Sequence, residues 1–248
     1  MTNISKKNEV YLYVDTERST ARALADFFTF EVPGAKFMPA YRNRIWDGKI
    51  RLFSPATGEL YAGLLPYLIK YLDDYGDNYE ISEELKNEKT IDRATLDGFI
   101  RQLRLRSNGR NIKPRDYQVD AVDYAIRNHR ALLLSPTASG KSLIIYILVR
   151  YYMLLLEKEA TDKILILVPT TSLVEQMYSD FIDYGWQEEY MQKIYSGHDK
   201  NVTKRVVIST WQSIYKFPKS YFEQFGCIVG DEAHLFKAKS LTTILTKL

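Results

Sequence analysis

The sequence predicts an α/β protein in two parts: a small mixed-sheet domain, then a parallel sheet wound with helices around a phosphate-binding loop. Three observations predict it. Across the second half, short apolar runs alternate with longer helical stretches. One of those runs leads straight into Ser139-Gly140-Lys141-Ser142, and a long apolar helix follows. Along the first half, charge falls in blocks of opposite sign, with strand and turn signals between them.

Val10–Val14 is strand-like, and Ser19–Phe28 places Ala21, Leu24, Ala25 and Phe28 at helical spacing. Lys49–Phe53 and Glu59–Gly63 flank Ser54-Pro55-Ala56-Thr57-Gly58, which predicts a hairpin. Leu64–Tyr75 reads as a helix with Pro66 in its first turn, where a missing N–H costs nothing. Eight acids against three lysines between Tyr67 and Asp92 give way to six bases and no acid from Phe99 to Arg115. That basic stretch passes through Ser107-Asn108-Gly109 and Pro114, the signals of a helix running into a turn-rich linker. The boundary is therefore expected there, with an accessory domain over 1–95, a basic helix and linker over 96–113, and a nucleotide-binding domain over 114–248.

In the second half, Ala131–Ser135, Lys163–Val168, Arg205–Ser209 and Cys227–Asp231 are apolar runs of the kind a parallel sheet buries on both faces. Helices are expected between them, the first from about Gly140 to Glu157 and the second from about Thr171 to Tyr184. This is the strand–helix–strand rhythm of a doubly wound sheet.

Composition narrows the function. With 248 residues, 46% of them apolar and 26% charged, the chain can bury a sizeable core and is unlike a disordered polymer. Its one cysteine, Cys227, excludes an intramolecular disulfide and a zinc site built on a cysteine pair, and three scattered histidines do not replace one. The opening MTNISKKNEV has no apolar signal-peptide core, and the run Leu143–Leu156 is short for a bilayer and carries Arg150. A soluble, cytoplasmic protein without a membrane partner is expected. A net charge of +3 is too small to argue nucleic-acid binding by itself.

Ser135-Pro136-Thr137-Ala138-Ser139-Gly140-Lys141-Ser142 supplies what a phosphate site needs. Backbone N–H groups and a helix N-terminus face the phosphates, Lys141 offers a cation to the β and γ groups, and the Ser142 hydroxyl can ligate Mg²⁺. Ser135 stands where the usual pattern has its first glycine, and a glycine-containing turn is the alternative reading. The run ending at Asp231-Glu232 is the second acidic element: Asp231 is suited to hold Mg²⁺ and Glu232 to polarise an attacking water. A solvated strand end could carry the same pair. Placed at the carboxyl ends of two parallel strands, both elements share one rim of the sheet, which makes ATP hydrolysis the expected chemistry.

Asp231-Glu232-Ala233-His234 together with SPTASGKS resembles the first RecA-like domain of the superfamily 2 helicases, in which the first loop glycine is often replaced. Arg115-Asp116-Tyr117-Gln118 is similar to the family's adenine-recognition segment, which implies that Gln118 reads the base edge with Arg115 and Tyr117 in support. Val168-Pro169-Thr170-Thr171 and Ile208-Ser209-Thr210-Trp211-Gln212 resemble two motifs that touch the phosphodiester backbone of one strand, implicating Thr170, Thr171, Thr210 and Gln212. A helix cap after Pro169 is the alternative reading of Thr170 and Thr171. His234 is implied to couple the two sites. The resemblance, which covers Arg115 to His234, implies a monomeric ATP- and Mg²⁺-dependent DNA helicase or translocase acting on branched DNA, with RNA–DNA hybrids as a further substrate. The translocating part of a restriction or remodelling enzyme shares these motifs, and a non-catalytic nucleic-acid-binding module is a third reading. The family's next motif and its second RecA-like domain, with the arginine fingers, do not occur before Leu248. A longer protein is expected, of which this portion alone hydrolyses ATP poorly.

The segment YRNRIWDGKIRLF, from Tyr41 to Phe53, interleaves Arg42, Arg44, Lys49 and Arg51 with Tyr41, Trp46 and Phe53, against Asp47 alone. Four cations for phosphates and an aromatic for stacking or wedging predict nucleic-acid contact. A strand with one solvated face would look similar.

Overall fold

The computed structural model describes every residue except 9, 87–90, 137, 157–161, 236–242 and 248. The chain divides into two compact units, Met1–Asn87 and Glu88–Leu248.

The first unit runs β1 (Thr2–Lys6), β2 (Tyr11–Asp15), α1 (Arg18–Phe27), β3 (Thr29–Glu31), α2 (Pro39–Arg42), β4 (Lys49–Arg51), β5 (Phe53–Ser54), β6 (Glu59–Tyr61), α3 (Leu65–Tyr75), β7 (Tyr79–Ile81) and α4 (Glu83–Lys86). Five strands form a mixed sheet in the order β5-β6-β2-β1-β7, antiparallel except where β1 meets β7. Alternation in β2 turns Leu12 and Val14 into a core shared with Leu24, Leu60, Leu68 and Leu72 from the neighbouring strand and helices. The predicted hairpin is shorter than its sequence suggests. Only Phe53–Ser54 pairs with Glu59–Tyr61, while Lys49–Arg51 pairs with Thr29–Glu31 in a separate ladder. Burial explains the break: Phe53 and Leu60 reach the core, whereas all three residues of β4 are exposed. Gly58 closes the turn at φ 68°, with the Val14 carbonyl where a Cβ would have to sit.

The second unit contains α5 (Arg93–Gln102), β8 (Arg106–Ser107), β9 (Arg110–Asn111), α6 (Asp116–Asn128), α7 (Lys141–Leu155), β10 (Lys163–Val168), α8 (Thr171–Asp183), β11 (Met191–Ile194), β12 (Val206–Thr210), α9 (Trp211–Ile214), α10 (Lys219–Phe222) and β13 (Phe225–Gly230). Four strands form an all-parallel sheet, ordered β11-β12-β10-β13. Successive residues of β10 serve opposite faces. Ile164, Ile166 and Val168 join the core under α6, α7 and α8, while Leu165 and Leu167 join a second core with Ile214 and Phe222. In α7 seven consecutive residues, Leu143–Val149, are buried, which is why the sequence is apolar around the whole helix. Arg150 ends that run by donating to the Tyr146 hydroxyl at 3.2 Å and lying 5.2 Å from the Trp186 ring. No described helix is long and apolar enough to cross a membrane.

Two expectations change. Ala131–Ser135 forms no strand, and Leu132 and Leu134 are exposed at 71% and 89%. Hydropathy marks a tendency to be buried but does not name the ladder that will bury it, and here the segment pairs with neither edge of the sheet. The stretch expected as a linker also packs into the second unit, because Leu96, Ile100 and Leu105 enter the same core as Val119 and Val122. The expected helix end at Glu157 lies outside the described residues.

Candidate active site

The chain brings Lys141 and Glu232, 91 positions apart, into an ion pair. Both stand at element ends: Lys141 opens α7, and Asp231-Glu232 follows β13, where the Asp231 N–H continues the ladder to the Leu167 carbonyl at 2.8 Å. This is the carboxyl edge of the parallel sheet, where open α/β folds place their ligands. The predicted strand before the loop contributes nothing to the placement. The loop is held from α6 instead, by the Tyr117 hydroxyl and Gln118 Nε2, which donate to the Ser139 carbonyl at 2.7 and 2.9 Å. Gln118 Oε1 accepts from the Arg115 N–H at 2.9 Å, so both ends of its buried amide are engaged within the chain. Gly140, at φ 78°, packs against that amide so closely that a Cβ would lie 2.4 Å from Gln118 Nε2. Ser135 and Ser139 join through their hydroxyls, the Ser139 N–H donates to the Pro136 carbonyl at 3.3 Å, and Ala138 is left-handed at φ 62°. Thr137 lies outside the described residues.

Electrostatics divides the two carboxylates. Lys141 holds the Glu232 carboxyl below its ordinary range, and Glu232 in turn holds the ammonium above its own. Burial pushes Asp231 the other way, upward, partly offset by the Glu232 N–H that donates to it at 2.9 Å and by the Lys141 charge. Glu232 sits at φ 50°, a costly conformation for a non-glycine residue and one that clusters at functional sites. His234, exposed, places Nδ1 3.3 Å from Glu232 Oε2.

Other predicted residues are placed less directly. Ser142 Oγ pairs with the Tyr184 hydroxyl at 3.0 Å. Tyr184 carries no motif and is invisible to sequence reasoning. Thr170 is exposed and caps α8, accepting from the Leu173 N–H at 3.3 Å; Thr171 is exposed beside it. Thr210 is buried, with its hydroxyl paired to Ser213 at 2.8 Å. Gln212 Nε2 donates to the Pro169 carbonyl at 3.0 Å, joining the two threonine-bearing turns. In the first unit, Arg51 forks onto Asp47, Lys49 lies 3.8 Å from Glu31, and Trp46 donates through Nε1 to the Lys49 carbonyl at 2.8 Å. Arg42 and Arg44 are exposed and make no ion pair among the described residues.

A lysine at the start of an apolar helix, adjacent carboxylates at the end of a parallel strand and a glutamine segment bracing the loop define the nucleotide domain of a superfamily 2 helicase. Residues 111–248 match the family described as "Type III restriction enzyme, res subunit", and residues 3–82 match "DNA helicase UvsW, N-terminal". The ATP-dependent DNA helicase uvsW of Enterobacteria phage T4 is 38% identical over 243 residues, covering 96% of this chain and 47% of that protein. Two solved structures of the bacteriophage T4 UvsW helicase are 36% identical, with TM-scores of 0.85 and 0.86; the matches cover 100% and 99% of this chain, and 88% and 50% of theirs. The chain therefore belongs to the UvsW-like family of superfamily 2 helicases, and it spans about half the length of the curated relative it matches.

Proposed function

We propose that this chain is the ATP-binding part of a helicase that acts on branched DNA, with RNA–DNA hybrids as a second substrate. The observation that carries the reading is the meeting of Lys141 with Glu232, beside Asp231, at one rim of the sheet. Each satisfies the other's charge. Phosphate entering the loop takes over the Lys141 ammonium, which releases the Glu232 carboxylate to orient water.

Mg²⁺ fits the site. Asp231 is a carboxylate that burial drives toward protonation and that has no ion pair of its own among the described residues, so a cation beside it would offset that cost. Asp231 and Ser142 would hold the ion, the latter after leaving Tyr184. When bound, the metal neutralises phosphate charge. Gln118 fixes the loop and presents its remaining hydrogen-bonding capacity to the base, with Arg115 alongside; His234 links the state of Glu232 to the rest of the domain. Nucleic acid is engaged by Thr170 and Thr171 at the start of α8, with Thr210 fixing the neighbouring turn from beneath, and by Arg42, Arg44, Lys49, Arg51 and Trp46 of the first unit. The match of residues 3–82 to a helicase N-terminal family favours this reading over a restriction translocase.

The test is ATP hydrolysis without DNA, with single strands and with forked DNA, in this chain and in a form spanning the full length of the phage T4 relative. Stimulation by forked DNA in the longer form is expected. Hydrolysis indifferent to every nucleic acid would contradict the proposal.

A further inference from the structure

The basic run from Arg101 to Arg115 takes no part in the site just described, apart from Arg115 itself. Its cations alternate with apolar anchors. Leu105 is buried, its carbonyl accepts from the Ile112 N–H at 3.0 Å, and both side chains pack into the core of the second unit. Between them β8 and β9 form a two-residue hairpin, with Arg106 opposite Asn111 and Ser107 opposite Arg110. Asn108 and Gly109 turn it at φ 49° and 72°, the left-handed pair that suits the twist of a tight hairpin. The tip is fastened too, because Asp183 accepts from Ser107 Oγ at 2.9 Å and from the Asn108 N–H at 2.8 Å. The hairpin is thus held at base and tip.

Arg101, Arg104, Arg106, Arg110 and Lys113 are all exposed, and none makes an ion pair among the described residues. Several surface cations of the same unit have found acids, Arg93 with Asp97 and Asp120, Arg127 with Asp123, Lys193 with Glu175 and Arg205 with Asp162, and the other exposed cations without one among the described residues, such as Lys200, Lys216 and Lys219, lie outside this run. Cross-strand partners share a face, so Arg106 lies on the Asn111 face and Arg110 on the Ser107 face, and unneutralised cations on both sides of an anchored hairpin favour an extended polyanion that passes over its edge. Asp183, the acid that the hairpin touches, is occupied by the tip.

We infer that this hairpin and the preceding helix end form a second nucleic-acid contact, which binds the phosphodiester backbone without reading sequence. The inference rests on nucleic acid being the substrate. Each duplex phosphate neutralised releases condensed counterions, so the contact is read in the salt dependence of binding.

The experiment compares the unaltered chain with an Arg104→Gln/Arg106→Gln/Arg110→Gln variant, by fluorescence-anisotropy titration of labelled forked DNA over a range of KCl concentrations, with ATP affinity measured in parallel. Loss of about 2 to 3 units from the slope of log affinity against log salt, with ATP affinity unchanged, is expected. The three-lysine variant at the same positions should keep the slope, which separates charge from loss of fold. If the unaltered chain binds DNA and the glutamine variant matches it, this inference fails alone. A fall in ATP affinity with unchanged DNA binding would make the hairpin part of the nucleotide site and overturn it. If the unaltered chain shows no salt-dependent DNA binding, the broader nucleic-acid reading falls with it.

Discussion

At the rim of the parallel sheet Lys141 is paired with a carboxylate 91 residues away; in the first unit Arg51 is paired with one four residues away. The first pair exists only because a sheet has been built and its strand ends aligned. It is partly shielded from water, and each member shifts the other's ionisation, the carboxyl downward and the ammonium upward. The second needs only a local turn and lies open to solvent, with the Arg51 guanidinium holding Asp47 down at about 2. Exposed pairs of this kind contribute little to stability. Charge gathered from distant segments has been positioned by the whole fold, whereas charge gathered locally records the sequence near it.

If the comparison holds, substitutions at the two places should differ in kind. Glu232→Gln, in a form that hydrolyses ATP, should lower the single-turnover rate by roughly 10²- to 10⁴-fold, because the amide keeps the shape and loses the base. A rate within a few-fold of the parent, measured with forked DNA present, would make the carboxylate incidental. In the first unit the expected effect is smaller and graded. Replacing Arg42 and Arg44 by Ala should reduce the salt slope of DNA binding by about 1.8 units, at roughly 0.9 for each duplex phosphate. Replacing Lys49 and Arg51 should reduce it less, since Glu31 and Asp47 already offset their charge. Equal effects from the two pairs, read in the same titrations, would mean that the local ion pairs dissolve when DNA binds.

The smallest effect concerns Asp231. Its folded-state pKa lies above the unfolded value of about 3.9, so the folded state binds its proton more tightly and stability declines as pH rises through that interval. Asp231→Asn should therefore raise the neutral-pH melting temperature and flatten the decline. A lower melting temperature at pH 7, followed by circular dichroism, would show that Lys141 and the Glu232 N–H outweigh burial.

Much of this arrangement is legible in the order of the amino acids. Lys163–Val168 appears as a strand with the expected ends, and 171–184 differs from α8 by one residue, because a strand covered on both faces leaves a short continuous apolar run and an amphipathic helix leaves a 3.6-residue period. The motif residues Lys141, Asp231, Glu232 and Gln118 are gathered into one place, as strand-end chemistry requires. What escapes such a reading depends on partners. The alternating Thr2–Lys6 offers one large apolar side chain, Ile4, and becomes a strand because β2 and β7 flank it. Ala131–Ser135 has the composition of a buried strand and lacks a ladder, while Met191–Ile194 has weaker composition and gains one from β12. Tyr184 reaches Ser142 only through the packing of α7 and α8, which no spacing in the sequence encodes.

On the proposed reading, Lys141 and Glu232 form one nucleotide site with divided roles. This is tested most directly by equilibrium titration of a fluorescent ATP analogue, with Mg²⁺, against the unaltered chain, Lys141→Ala and Glu232→Gln. Lys141→Ala should lose about 10- to 150-fold in affinity, the worth of a hydrogen bond to a charged group. Glu232→Gln should bind as tightly as the unaltered chain or more so, because the lysine no longer has to leave a carboxylate to meet phosphate. Equal losses in the two variants, with both folded, would contradict the claim.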